Sequence, residues 1–152
     1  GPIPLYGGMQ ALNMENAWQF SKVYKEYTNP DGSPSEEYFK WAAEGWARKD
    51  AVRYPMGKHA KPEYSWWDGE RLTYVEARKR IYVPLYARSV SQTQAFQQLR
   101  ELYKQHGKIT LWDFDGYDHR AMGMSWKDVF DNPLRSAGHA FTLGYLLENL
   151  IL

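Results

Sequence analysis

Glu15, Gln19 and Lys22 stand at i, i+4 and i+7 of a segment that reads as helix, so their side chains are expected on one face across two turns. Met14, Ala17, Trp18 and Phe20 supply apolar neighbours. An amine and a carboxylate held together among aromatic rings suit glycosidic chemistry. The lysine can attack an anomeric carbon once burial has lowered its proton affinity, and the glutamate can shuttle the proton. The same E-x-x-x-Q-x-x-K spacing also describes a solvated helix face with a weak charge pair.

A second group lies in Leu111-Trp112-Asp113-Phe114-Asp115-Gly116-Tyr117-Asp118-His119. Carboxylates clustered beyond a β-prone stretch repel one another unless a cation, a proton or a ligand relieves them. Strand ends are also where open α/β sheets place ligands. The alternative is an Asp-rich turn that caps the next segment. Asp113-Phe114-Asp115-Gly116 resembles the first motif of haloacid-dehalogenase-type phosphatases, which use an Asp nucleophile and Mg²⁺. Here the motif falls late, and too few residues follow to build that fold.

Basic residues near aromatic ones form a third group. Arg53, Lys58, His59 and Lys61 fall not far from Trp66 and Trp67, a composition that can hold phosphate and stack a base. Solvated loop cations are the plainer reading. Arg78 reads either as a phosphate clamp or as a structural partner of a nearby Glu. His119, beside Asp118, is the candidate histidine, whereas His139 reads as a core residue of the closing helix.

These residues must be positioned by a chain of 152 residues, enough for one domain with a core, expected over 3–152, with Gly1-Pro2 reading as the scar of a removed tag. With no Cys, disulfides, thiolate metal sites and Cys nucleophiles are excluded. A net charge of +1 gives no long-range pull on nucleic acid, although a local basic patch is compatible with it. No run approaches the ~18 apolar residues that span a bilayer, and no signal-like segment opens the chain. An intracellular, cytoplasmic protein without membrane association is expected. The apolar tail Leu150-Ile151-Leu152 would be odd if left fully exposed, and oligomeric state is left open.

Helices are expected from Asn13, as N-cap, to Tyr24, from about Glu36 to Lys49 behind a Ser33-to-Glu36 capping box, and from Tyr74 to about Arg88 with Pro84 kinking or dividing the last. Gln92 to Gln105 shows Ala95, Phe96, Leu99, Leu102 and Tyr103 along one side and stops at Gly107. Ser125 is expected to cap a short helix through Phe130, and an apolar helix from Gly138 to Leu150 closes the chain. Ala51 to Asp68 reads as irregular, and Lys108 to Asp113 as the one convincing strand. The fold class is α+β, a mostly helical domain with a small sheet.

Taken in order, these segments resemble the NADAR superfamily. Its members carry a Glu-His-Ala-aromatic-Gln-x-x-Lys helix, to which Glu15-Asn16-Ala17-Trp18-Gln19-Phe20-Ser21-Lys22 is similar. Arg53-Tyr54-Pro55-Met56-Gly57-Lys58 resembles the family's basic segment, Asp113 and Asp118 its acidic pair, and Gly138 to Gly144 its closing helix. The chain departs at Asn16, where the family has His, at Asp113, where Glu is usual, and at Ala140, where Asn is usual. It also lacks the family's Trp-Gly after the Asp. The segment from Tyr74 to Tyr86 is not part of the family pattern, and the chain reads as a divergent branch.

The resemblance implies an N-glycosidase acting between a ribose and a base, on an ADP-ribosylated or phosphoribosylated base, free or in nucleic acid. Lys22 would form a Schiff base with the opened sugar, Glu15 would be general acid and base, and Asp118 would orient sugar hydroxyls or assist proton transfer. Gln19, Trp18, Asp113, His119, Arg53, Lys58, Trp66, Trp67 and Arg78 are the candidate substrate contacts. No metal or cofactor is implied. The alternatives are a non-catalytic nucleotide- or ADP-ribose-binding module and a Mg²⁺-dependent phosphatase centred on Asp113 and Asp115.

Overall fold

The computed structural model describes residues 1–113 and 116–150. Helices dominate and the sheets are small, an α+β composition. The chain divides into two compact units, Gly1–Ala77 and 78–152. Among the described residues no helix is long and apolar enough to cross a membrane.

The first unit opens with an antiparallel pair, β1 (Ile3–Pro4) and β2 (Gln10–Ala11). Asn13 then caps α1 (Met14–Gln19) by accepting the Asn16 amide at 2.8 Å. This helix stops five residues before the expected end. Ser21 Oγ donates to the Trp18 carbonyl at 2.7 Å and closes the last turn, and Lys22–Val23 become strand β3. The β3 strand is claimed by β4 (Tyr64–Trp67), with Lys22 opposite Ser65 and Val23 opposite Tyr64. Strand pairing with a β-branched residue thus overrides a helical spacing.

A hairpin joins β4 to β5 (Glu70–Leu72), completing a three-stranded antiparallel sheet in the order β3-β4-β5. Its turn is Asp68-Gly69, both with positive φ (45° and 84°), the conformation that tight hairpins demand and that Gly adopts without strain. The expectation of irregular chain up to Asp68 is therefore corrected at its end. Between β3 and β4, a 3₁₀ turn (Lys25–Tyr27) precedes α2 (Glu36–Trp46), capped by Ser35 Oγ accepting the Tyr38 amide at 3.3 Å. Tyr38, Ala42, Gly45 and Trp46 line the buried side of α2, and the short helix α3 (Tyr74–Ala77) ends the unit.

The second unit begins with a π-helical turn (Arg78–Tyr82) that leads into α4 (Val83–Ser91). Pro84 lies in the first turn of α4, where its missing N–H and fixed φ are tolerated. The α5 helix (Gln94–His106) is capped by Thr93 and ends at Gly107, whose φ of 66° is the left-handed cap. Phe96 is buried, and Leu99 and Tyr103 pack beside it against Leu146 and Leu147. Leu102 is half exposed and Ala95 is exposed, so the buried stripe is narrower than expected.

Lys108 to Asp113 forms no strand. Its residues are β-prone, but among the described residues no strand pairs with them, and propensity without a partner does not make a sheet. Ser125 caps α6 (Trp126–Asp131) with a full capping box, the Asp128 carboxylate accepting the Ser125 amide at 2.8 Å. The α7 helix (His139–Leu150) closes the described chain. Ile151 and Leu152 of the apolar tail lie outside the described residues.

Candidate active site

In the first unit, α1 and β3 bring together Glu15, Gln19, Lys22 and Trp18. Glu15 and Gln19 share a helix face as expected, and Gln19 Nε2 donates to Glu15 Oε1 at 3.0 Å. Lys22 arrives from the strand and not from the helix, yet its Nζ donates to Gln19 Oε1 at 3.2 Å. The ammonium also lies 5.1 Å from the centre of the Trp18 ring. Tyr74 stands beside that ring, with centroids 6.2 Å apart. Tyr74 was missed from sequence because nothing in its spacing ties the start of α3 to α1.

Gln19 is buried, and Lys22 is half-buried. Burial pushes the Lys22 amine below its ordinary proton affinity, and the Glu15 charge partly opposes the shift. A partly desolvated amine beside a carboxylate and an indole face is equipped for nucleophilic attack on an electrophilic carbon.

Asn16, between Glu15 and Ala17 on α1, has a different task. Its amide donates to the carbonyls of Arg48 at 3.2 Å and Asp50 at 2.9 Å, and its Oδ1 accepts the Val52 amide at 2.8 Å. The side chain thereby fixes the loop after α2 from the middle of α1. Beyond that loop, Arg53 and Lys58 are exposed, Arg53 lying over the Tyr54 ring at 5.5 Å. Trp66 and Trp67 are neighbours on β4 and so point to opposite faces. Trp66 meets Phe39, and Trp67 meets Tyr6, so the two indoles do not make one stacking wall.

The remaining candidates belong to the second unit. Arg78 is 2% exposed, and its guanidinium donates to the carbonyls of Val129 (3.3 Å), Phe130 (3.0 Å), Asn132 (2.8 Å) and Arg135 (2.8 Å). It therefore caps the end of α6 and the loop beyond, and a phosphate clamp at this residue is corrected. Asp113 accepts the Ala140 amide at 3.2 Å and caps α7, while Asp115 lies outside the described residues. Asp118 accepts the Ala121 amide at 3.1 Å, a local bond of the kind the plainer reading of an Asp-rich turn describes.

Asp113, Asp118 and His119 nevertheless share the lining of a cavity of about 530 Å³. Trp126, Phe141 and Glu148 complete its wall. His119 packs 4.4 Å from the Trp126 ring, and Glu148 accepts the Trp126 indole N–H at 2.6 Å while pairing with Arg120. Burial, and then the Arg120 charge, lower the His119 imidazole, with Asp118 opposing. His139 is exposed and stacks on Tyr86 at 4.5 Å, so it is not a core residue. Among the described residues no group of three or more His, Asp or Glu could hold a metal ion.

The chain matches no protein-family model, and neither the curated proteins nor the solved structures give a significant match to it.

Proposed function

We propose that the chain is a NADAR-like N-glycosidase that cleaves the bond between a ribose and a base, removing ADP-ribose from guanine, with Lys22 as nucleophile. The observation that carries the reading is the Lys22–Gln19–Glu15 chain, which sets a shielded amine near a carboxylate beside the Trp18 ring. Lys22 Nζ bonds to C1 of the sugar as the bond from C1 to the base breaks. The proton that Lys22 sheds before it attacks passes through water to Glu15, which gives it to the departing base. The sugar ring then opens, Glu15 carrying a proton from the new C1-bound ammonium to the ring oxygen, which leaves as a hydroxyl, to give a Schiff base on Lys22. Water adds to C1, the lysine departs, and the sugar is released.

Trp18 and Tyr74 offer aromatic surface beside the amine, which suits a flat leaving group. Asp118 keeps its expected role only as a separately tested residue of the second unit. The test is mass spectrometry of a guanine-ADP-ribosylated oligonucleotide incubated with wild type and with Lys22→Ala, with borohydride trapping alongside. Loss of the ADP-ribose mass with wild type alone, and a reduced adduct on Lys22, support the reading. No loss and no adduct with this oligonucleotide or with phosphoribosylated bases overturn it.

The aromatic and acidic cavity of the second unit favours a second reading, a non-catalytic nucleotide-binding module. Tight ADP-ribose binding that Lys22→Ala leaves unchanged, without turnover, would select it.

A further inference from the structure

Gln19 has only one way to sit. A carboxylate can only accept hydrogen bonds and an ammonium can only donate them, so the amide must turn its NH₂ to Glu15 and its oxygen to Lys22. Both ends of the amide are thus engaged and the side chain is buried, which makes it a poor substrate contact. Among the described residues Glu15 and Lys22 are linked through this amide and not by a direct ion pair. We infer that Gln19 is a positioning residue: it spaces Glu15 from Lys22, so that the amine rests against a neutral acceptor instead of being locked to the carboxylate.

The inference rests on the reading of Lys22 as nucleophile, and its logic is electrostatic. An opposite charge in direct contact stabilises the protonated amine by ~1–3 pKa units, and each unit removes about nine-tenths of the free amine at neutral pH. A neutral amide oxygen holds the same nitrogen in place with far less bias towards the charged form. Glu15 is the charged group that acts on Lys22 from α1, and Ser65 is its uncharged partner on the neighbouring strand. The amide therefore lets both groups share one small region with the carboxylate ready for proton transfer and the amine still able to attack.

The experiment is reductive methylation of the full chain with formaldehyde and cyanoborohydride, the Lys22 peptide being quantified by mass spectrometry across pH. Its readout is the midpoint for Lys22 modification, which needs no glycosidase activity. Gln19→Met should shift that midpoint up by one unit or more, as Glu15 and Lys22 close on each other. Adding Glu15→Gln should return it. Gln19→Asn, an amide too short to span both partners, should shift it in the same direction and serves if the Met variant unfolds. A midpoint that stays or falls in the Gln19 variants, or a rise that Glu15→Gln does not reverse, overturns the inference. The oligonucleotide assay on wild type is independent of these results, so failure of the positioning role and failure of the glycosidase reading are distinguishable.

Discussion

Gly45 on α2 lies against the ring of Phe20: a Cβ added at Gly45 would stand 2.1 Å from the ring's Cδ1. Phe20 is the C-cap of α1, it is buried, and its carbonyl accepts the Tyr38 hydroxyl at 2.9 Å. The two helices can approach this closely only because position 45 has no side chain, and the residue two places beyond Phe20 is Lys22.

Gly45→Ala should therefore destabilise the chain. Helix propensity favours Ala by about 1 kcal/mol. A methyl forced into a buried ring costs about 1–3 kcal/mol and often more at so short a distance. Urea unfolding should show a net loss, and a gain in stability would mean that the ring has room to turn away.

Lys22 should leave a signature in stability against pH. Its folded value lies below the 10.5 of the free side chain, so between the two the folded state binds fewer protons than the unfolded state. The burial cost is in force below the folded value and is relieved as pH rises through the window. Wild type should gain stability relative to Lys22→Met as pH rises through the folded value towards 10.5. A difference that does not change with pH would count against a shielded amine.

Arg78 should prove structural. Arg78→Lys keeps the charge but cannot span carbonyls from Val129 to Arg135, and a loss of about 2 kcal/mol or more is expected. The urea midpoint measures it. Wild-type stability in Arg78→Lys would show that the fan of hydrogen bonds contributes little.

His119 should titrate below 6.5, as followed by its imidazole NMR signals. Because the folded value is the lower one, the associated stability is present above 6.5 and is lost as pH falls through the folded value. Arg120→Ala should raise the midpoint, and Asp118→Asn should lower it further. Opposite movements would place different charges beside the ring.

What could be read from sequence was local. Asn13 and Ser125 cap the helices that their types and spacing announced, and Gly107 ends α5, whereas α2 is capped by Ser35 and not through the expected Ser33-to-Glu36 box, and α5 by Thr93. The hairpin turn at Asp68-Gly69 was not read from the sequence, although the dipeptide is of the kind that tight hairpins use. The failures were non-local. Whether Lys22 continues a helix or joins a strand depends on Ser65, and whether Ile109 to Trp112 makes a strand depends on a partner that the described chain does not offer. At the candidate site, the residue types of Glu15, Gln19 and Lys22 were legible, but the order of their hydrogen bonds was not. Asn16 and Arg78 could not be assigned, since their partners lie more than thirty residues away.

The π-helical turn from Arg78 to Tyr82 carries one residue more than a regular helix would use. Deleting one of the four residues from Lys79 to Tyr82 would leave ordinary helix and swing Arg78 by about 100° relative to Leu85, away from the carbonyls that it gathers. The segment is thus constrained in length more than in composition. Homologues should differ across it by substitution and not by gap, and a gap should coincide with loss of the arginine.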